Sequence, residues 1–239
     1  MHRFAVILTH NRPALLAETV AAIGPQVDMV VVIDNASDPA VRLDALPAGD
    51  RKAVVLRVLT QPPNLSELWR AGMARCLPDW SEANRLKAIR EPVVADVLPP
   101  FWVAFLCDDA PPPPGWFDVV VEAMVSTGAV AGATSPWPFG GPPRIKTTPD
   151  RDLMGRMPGW AFILDGRSPV LPDERFQWWW GDTDIDWQAR QHGGMVLVGT
   201  HTVPNREPDH WTAVKPELGA RCGLDRLAFE EKWVQPAPW

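Results

Sequence analysis

The segment Phe101 to Trp116 reads FWVAFLCDDAPPPPGW. A continuous apolar run, Phe101 to Leu106, stops at two adjacent carboxylates, Asp108 and Asp109, and then at Pro111 to Pro114. The run has the length and aromatic content of a strand buried on both faces. Proline supplies no backbone donor, so the strand must end there. Asp108 and Asp109 therefore belong to the carboxyl end of a central strand, the edge at which open α/β sheets bind ligands. Two neighbouring acids repel each other unless a cation, a proton or solvent relieves them. A divalent ion that also holds a phosphate suits that position. The plainer alternative is a helix cap or a solvated turn, both of which favour Asp.

Working outward, Phe4 to Leu8 and Met29 to Ile33 are two further apolar strands, each running into a polar loop. Thr9-His10-Asn11-Arg12 follows the first, and Pro13 opens a helix over Ala14 to Ile23. Asp34-Asn35 follows the second. This strand–turn–helix–strand order is that of a nucleotide-binding half, without the glycine fingerprint of dinucleotide folds. Asn11 and Asp34 serve equally well as loop or helix caps. Ala53 to Leu59 is a third strand. Asn64-Leu65-Ser66 opens a helix over Glu67 to Cys76, with Ser66 as its expected N-cap. Arg70 on that helix is a candidate for a phosphate, or an ordinary solvated arginine. A charged helix is expected over residues 79–90.

The second half continues with a helix over Trp116 to Val125 and a short strand over Ala129 to Ala133. A polar loop follows from Arg144 to Met157, then a strand over Gly159 to Leu164. Trp178-Trp179-Trp180 leads into Gly181-Asp182-Thr183-Asp184 and a helix over Ile185 to Gln191, closed by Gly193-Gly194. Met195 to Val198 is a last strand, and a short helix over Leu224 to Trp233 closes the chain. Trp160, Trp179 and Trp180 are candidates to stack on sugar faces; core packing is the alternative.

The 239 residues suit one large domain or two small ones. A net charge of -6 argues against a general nucleic-acid binder. Three scattered cysteines, with no leader-like start and no long apolar run, lead us to expect a cytoplasmic protein without a membrane span.

The order VILTHNRP, VVVIDNASD, NLSELWRAG, FLCDDAPPPPGW, GWAFIL, WWGDTDIDWQARQHGG and DHW resembles the family 2 glycosyltransferases over residues 3 to 212. The resemblance implies a GT-A type, Rossmann-like single α/β domain with a mostly parallel central sheet. Residues 1–110 would bind a nucleotide-sugar, 111–214 an acceptor (a glycan, protein or small molecule), and 215–239 would form a tail. It implies that Thr9, Asn11 and Arg12 line the nucleotide, that Asp34 reads the base with Asn35 beside it, and that Asn64 lies near the donor. The family often has Gly at 66 and Asn at 70, where this chain has Ser66 and Arg70. Cys107-Asp108-Asp109 resembles the family's DxD motif, with Asp109 on Mn²⁺ or Mg²⁺ and Asp108 on ribose or sugar. Gly181-Asp182-Thr183-Asp184 resembles its Glu-Asp-x-Asp segment, with Asp182 as catalytic base and Asp184 at the acceptor-side helix start. His210 resembles the late metal-binding His, with His201 as a rival. The implied activity is inverting, metal-dependent glycosyl transfer. A nucleotidyltransferase or a catalytically silent sugar-binding module are the alternatives.

Overall fold

The structure is a computed structural model that describes residues 2–47, 52–59, 63–76, 100–206, 216–234 and 236–237. The helix expected over 79–90 and the segment carrying His210 lie outside these residues. In chain order the elements are β1 (His2–Thr9), α1 (Pro13–Ile23), β2 (Met29–Asn35), β3 (Lys52–Val58), α2 (Leu65–Arg75) and β4 (Phe101–Cys107). There follow α3 (Trp116–Thr127), β5 (Ala131–Thr134), β6 (Arg144–Lys146), β7 (Ala161–Asp165), α4 (Gly181–Gln191), β8 (Met195–Val198) and α5 (Pro216–Trp233).

One sheet runs in the order β3-β2-β1-β4-β7-β5-β8-β6. The neighbours from β3 to β4 are parallel, as are β5 and β8. β7 is antiparallel to both β4 and β5, and β6 to β8. The apolar runs of β1, β2 and β4 alternate between two cores, as strands buried on both faces must. Phe4, Val6, Val103 and Phe105 pack with Leu68, Trp69 and Met73 of α2 and Ile185 of α4. Ala5, Ile7, Ala104 and Leu106 pack with Leu16 and Val20 of α1 and Trp116 and Phe117 of α3. Helices therefore cover both faces, as the apolar pattern predicts.

This topology decides where chemistry can sit. The parallel strands place Thr9, Asn35, Val58 and Cys107 at one edge. Because β7 runs the other way, it begins at that edge, with Ala161 beside Leu106. Among the described residues no helix is long and apolar enough to cross a membrane.

Four local expectations are corrected. The segment from Arg144 to Met157 is not merely a polar loop: it holds β6, and Lys146 bridges Asp150 at 3.0 Å and Asp152 at 2.8 Å. Helix α4 begins at Gly181 rather than Ile185, because Trp180 takes a left-handed φ of 67° and its carbonyl accepts Asp184 N–H at 2.8 Å. Helix α5 has 18 residues rather than the last ten alone, despite Gly219 and Gly223. Asn64, not Ser66, caps α2, its side chain accepting Glu67 N–H at 3.1 Å, while Ser66 is buried inside the helix.

Candidate active site

The ends of β1 and β4 are adjacent, with Leu8 opposite Cys107. Beyond them Thr9 Oγ1 donates to Asp108 Oδ2 at 2.7 Å. Arg12 Nη1 donates to Asp108 Oδ1 and to Asp109 Oδ2, both at 3.2 Å. Both acids are 5% exposed, so their charges are not left to water. Thr19 on α1 donates to the Asp108 carbonyl at 2.7 Å and pins the backbone of the pair. Three of the residues expected at the nucleotide, Thr9, Arg12 and Asp108, thus form one cluster with Asp109.

Burial pushes the Asp108 carboxyl up to about 6, against the downward pull of Thr9 and Arg12. An ordinary Asp titrates near ~3.9 in the unfolded chain. The folded state therefore binds the proton more tightly, and stability falls as pH rises from about 4 to about 6. Asp108→Asn removes that loss and keeps an acceptor for Arg12. It should melt above the parent at pH 7.5, by about 1–3 kcal/mol, with the gap closing towards pH 4.5. Melting curves across that range are the check. A variant less stable than the parent at pH 7.5 would mean that the ion pair outweighs burial. Burial, then the charges of Asp109 and Asp108, push the Cys107 thiol well above its usual range; Arg12 opposes them and Asp182 adds to them. Cys107 stays a thiol, a poor donor for a hard ion.

The loop after β2 corrects one expected role. Asp34 is fully buried, and its two oxygens accept Ser37 N–H at 2.9 Å and Val41 N–H at 3.0 Å. It closes its own loop and offers no open edge to a base. Asn11, at φ 58°, donates its N–H to Ser37 Oγ at 2.9 Å and accepts Asp38 N–H on Oδ1 at 2.7 Å. His10 Nδ1 lies 2.6 Å from the Asn35 carbonyl, which only accepts, so that nitrogen carries the proton. These contacts tie the β1 loop to the β2 loop. Asn35 is 7% exposed, and its Oδ1 is buried with no hydrogen-bond partner among the described residues.

Asn64, expected near the donor, and Arg70, a candidate for a phosphate, both bond to the segment 172–174. Asn64 Nδ2 donates to the Glu174 carbonyl at 2.8 Å. Arg70 pairs with Glu174 at 3.2 Å and donates to the Pro172 carbonyl at 3.4 Å. Both hold residues 172–174 rather than reaching the acid pair.

On the acceptor side, Asp182 is half-buried in the first turn of α4, where the helix dipole favours negative charge. Its carboxylate lies against Gly159: a Cβ there would sit 2.4 Å from Asp182 Oδ2. The next residue, Trp160, accepts Cys107 N–H on its carbonyl at 2.9 Å, and its indole donates to the Val203 carbonyl at 3.1 Å. Asp182 is also close enough to Cys107 for its charge to act on the thiol. The edge at which β1 and β4 end therefore carries Arg12, Asp108 and Asp109, with half-buried Trp160 bonded to Cys107 there and Asp182 seated on the preceding Gly159.

Asp184 and Trp180 are not part of it. Asp184 is fully buried and accepts from Gln188 Nε2 at 2.6 Å and Trp233 Nε1 at 2.9 Å, with Lys232 Nζ at 2.7 Å. It anchors α5. Trp180 is 1% exposed and packs on Phe229 with ring centroids 5.5 Å apart, so no face is open to a sugar. Trp179 is half-buried against the same cluster, and its N–H and that of Trp178 both donate to Asp225 Oδ2, at 2.8 and 2.7 Å. Asp225, 3% exposed, was invisible as a site residue, because its partners lie 46 and 47 positions away.

The oxygens that Asp108 and Asp109 turn towards each other already share a guanidinium. His210, the other residue expected at a metal ion, lies outside the described residues. His201 is exposed, with its Nδ1 3.1 Å from Thr200 Oγ1. Among the described residues no three His, Cys, Asp or Glu side chains come together as donors.

No family model and no curated protein matches the sequence. The fold is similar to that of solved structures. S. aureus TarS 1–349 superposes with a TM-score of 0.59 at 10% identity, over 92% of this chain and 65% of that one. The same protein in complex with UDP-GlcNAc gives 0.56 at 8% identity, over 92% and 66%. A mycobacterial protein gives 0.51 at 15% identity, over 99% and 76%. This chain spans 36% of the longer TarS structure. The shared architecture is the GT-A type, Rossmann-like α/β fold.

Proposed function

We propose that this chain is a glycosyltransferase that moves a sugar from a nucleoside diphosphate sugar to an acceptor hydroxyl with inversion. The observation that carries the reading is the half-buried Asp182 carboxylate on Gly159, on the same sheet edge as Asp108 and Asp109. The complexes of S. aureus TarS with UDP and with UDP-GlcNAc, on a similar fold, support the donor class.

In this reading the donor lies along the β1–β4 edge with its diphosphate towards Arg12. The acceptor hydroxyl oxygen attacks the anomeric carbon from the side of Asp182. The bond from that carbon to the diphosphate oxygen breaks, and its electron pair leaves with the diphosphate. The hydroxyl proton passes to Asp182. One base and one displacement invert the anomeric centre, because attack and departure are in line. Trp160 is half-buried beside Asp182 and offers an apolar wall for the acceptor.

The test is a thermal-shift screen of nucleoside diphosphates and their sugars, since a ligand that binds only the folded state raises its stability. It is followed by product analysis with sugar acceptors. Release of free nucleoside diphosphate is the expected result. Release of pyrophosphate from a nucleoside triphosphate and a sugar phosphate would make the chain a nucleotidyltransferase. Binding without any turnover would make it a sugar-binding module.

A further inference from the structure

Among the described residues no hydrogen bond or ion pair holds the Asp182 carboxylate. Its direction is set by its contact with Gly159 and by the backbone from which it projects. That backbone starts in an unusual turn. Trp180, two residues earlier, is left-handed at φ 67°, a strained conformation for a residue with a side chain. Its carbonyl accepts Asp184 N–H at 2.8 Å and so opens α4. Such a turn persists only where its surroundings over-determine it.

The surroundings come from α5. Asp225, Phe229, Lys232 and Trp233 recur at the spacing of one helix face, and each grips the stretch from Asp173 to Trp187. Asp225 Oδ2 accepts the N–H groups of Trp178 at 2.7 Å and Trp179 at 2.8 Å. Two successive N–H groups converging on one oxygen make a small anion site, and here the chain supplies its own anion, 3% exposed. Phe229 packs on Trp180 and on Trp187. Lys232 and Trp233 hold Asp184. Gly219 and Gly223 lie on the outer side of α5, where an added Cβ would meet nothing within 4 Å. Two exposed glycines weaken a helix, so α5 owes its order to this docking rather than to its own propensity.

We propose that Asp225 is a positioning residue for Asp182: by holding the N–H groups of Trp178 and Trp179 it fixes the left-handed turn at Trp180, and with it the first turn of α4 that aims the base. The positioning role rests on the reading of Asp182 as the base; the holding of the turn does not. The division of labour along α5 follows from the contacts. Lys232 and Trp233 hold α4 after Asp182, at Asp184. Asp225 holds the chain before it. Asp182 lies between the two grips.

The experiment compares Asp225→Ala and Asp225→Asn with Arg221→Met. Arg221 Nη1 donates to the Pro63 carbonyl at 2.7 Å, so its loss loosens α5 from the start of α2 and leaves the Trp180 turn alone. Amide exchange is followed by NMR on the protein alone. In Asp225→Ala the N–H groups of Trp178, Trp179 and Asp184 should exchange faster than in the parent by about tenfold or more, beyond any change in β1 and β4. Asp225→Asn keeps an uncharged acceptor in place and should fall between the two. Turnover is read well below the melting temperature. Asp225→Ala should lower kcat by roughly tenfold or more with the donor KM unchanged. Asp225→Asn should recover part of that loss, and Arg221→Met should keep the parent's kcat whatever it loses in melting temperature. Unchanged exchange at the three N–H groups overturns the proposal, as does a fall in kcat that Arg221→Met reproduces at an equal loss of melting temperature. Should Asp225→Ala fail to fold, Asp225→Asn carries both readouts, and parent-like exchange and kcat in it overturn the proposal. A dead Asp182→Asn beside a fully active Asp225→Ala leaves the base standing and overturns its positioning. If the parent turns over no nucleotide-sugar, the base and its positioning fall together, and the exchange arm still decides whether Asp225 holds the turn.

Discussion

Asp182→Asn should lower kcat by about 10²-fold or more, with donor affinity close to that of the parent. The substitution keeps the size of the side chain, and therefore its seat on Gly159, where a Cβ would already meet the carboxylate at 2.4 Å. It removes the basicity that accepts the acceptor's proton. Donor affinity should hold because, in the proposed reading, the diphosphate lies towards the cluster of Thr9, Arg12, Asp108 and Asp109, with which Asp182 shares no hydrogen bond. The readout is the split between kcat and KM. Asp184→Asn is the control. Asp184 is fully buried and holds Lys232, Gln188 and Trp233, so its loss should appear in the melting temperature first. A dead Asp184→Asn that melts like the parent, beside an active Asp182→Asn, would place the base two residues later and overturn the assignment.

The strands and their shared edge were legible because buried strands announce themselves. The run from Phe101 to Leu106 has no polar interruption, and its register against β1 follows from alternation between two cores. The pairing of Thr9 and Arg12 with the two acids was legible only as proximity. Which of them would meet a ligand and which would meet each other depends on side-chain geometry. Asp34 shows the limit. Its type and its place after β2 fit a base reader, but the loop from Ala36 to Val41 folds back and gives both of its oxygens backbone N–H partners. The tryptophan run shows another. Three aromatics in a row fit a sugar platform, yet Trp180 turns left-handed and buries itself under Phe229, contributed by a helix some 49 positions on in the same sequence.

One departure from the resembled family finds a local reason. Gly181 stands where the family has Glu, and Ser66 where it often has Gly. In the structure these two positions face each other: a Cβ on Gly181 would lie 2.9 Å from Ser66 Oγ and 3.3 Å from the Trp69 ring. A side chain at 181 has no room while Ser66 and Trp69 keep their places. The missing glutamate is thus linked to the packing of α2 on α4, and it leaves Asp182, the next residue, undisturbed.

Arg190→Met should destabilise the chain by about 3–5 kcal/mol, because it strands a charge in the core. Arg190 and Asp186 lie one turn apart on α4, with side chains 1% and 0% exposed. They form a two-pronged pair, Nε to Oδ1 at 2.8 Å and Nη2 to Oδ2 at 2.8 Å. Arg190 also donates to the carbonyls of Gly155 at 3.2 Å and Thr148 at 3.4 Å, and Asp186 accepts Met157 N–H at 3.3 Å. Burial pushes the Asp186 carboxyl above its usual value, and the bonds from Arg190 pull it down. Without Arg190 the upward push of burial is opposed only by the bond from Met157 N–H. The folded state would then hold a proton that the unfolded chain releases near pH ~3.9. The deficit should accordingly be largest at neutral pH and shrink towards pH 5. Asp186→Leu with Arg190→Met removes both charges. It should recover part of the loss but not all, because the carbonyls of Gly155 and Thr148 lose their donor. Urea unfolding of the parent, the single and the double variant at two pH values is the measurement. A single-variant cost below about 1 kcal/mol would equate this pair with a surface ion pair and sink the argument. The pair also bears on the site. Residues 148–157, which it grips, lead directly to Gly159, the surface on which Asp182 rests. A chain weakened here should therefore lose kcat at temperatures well below its unfolding midpoint.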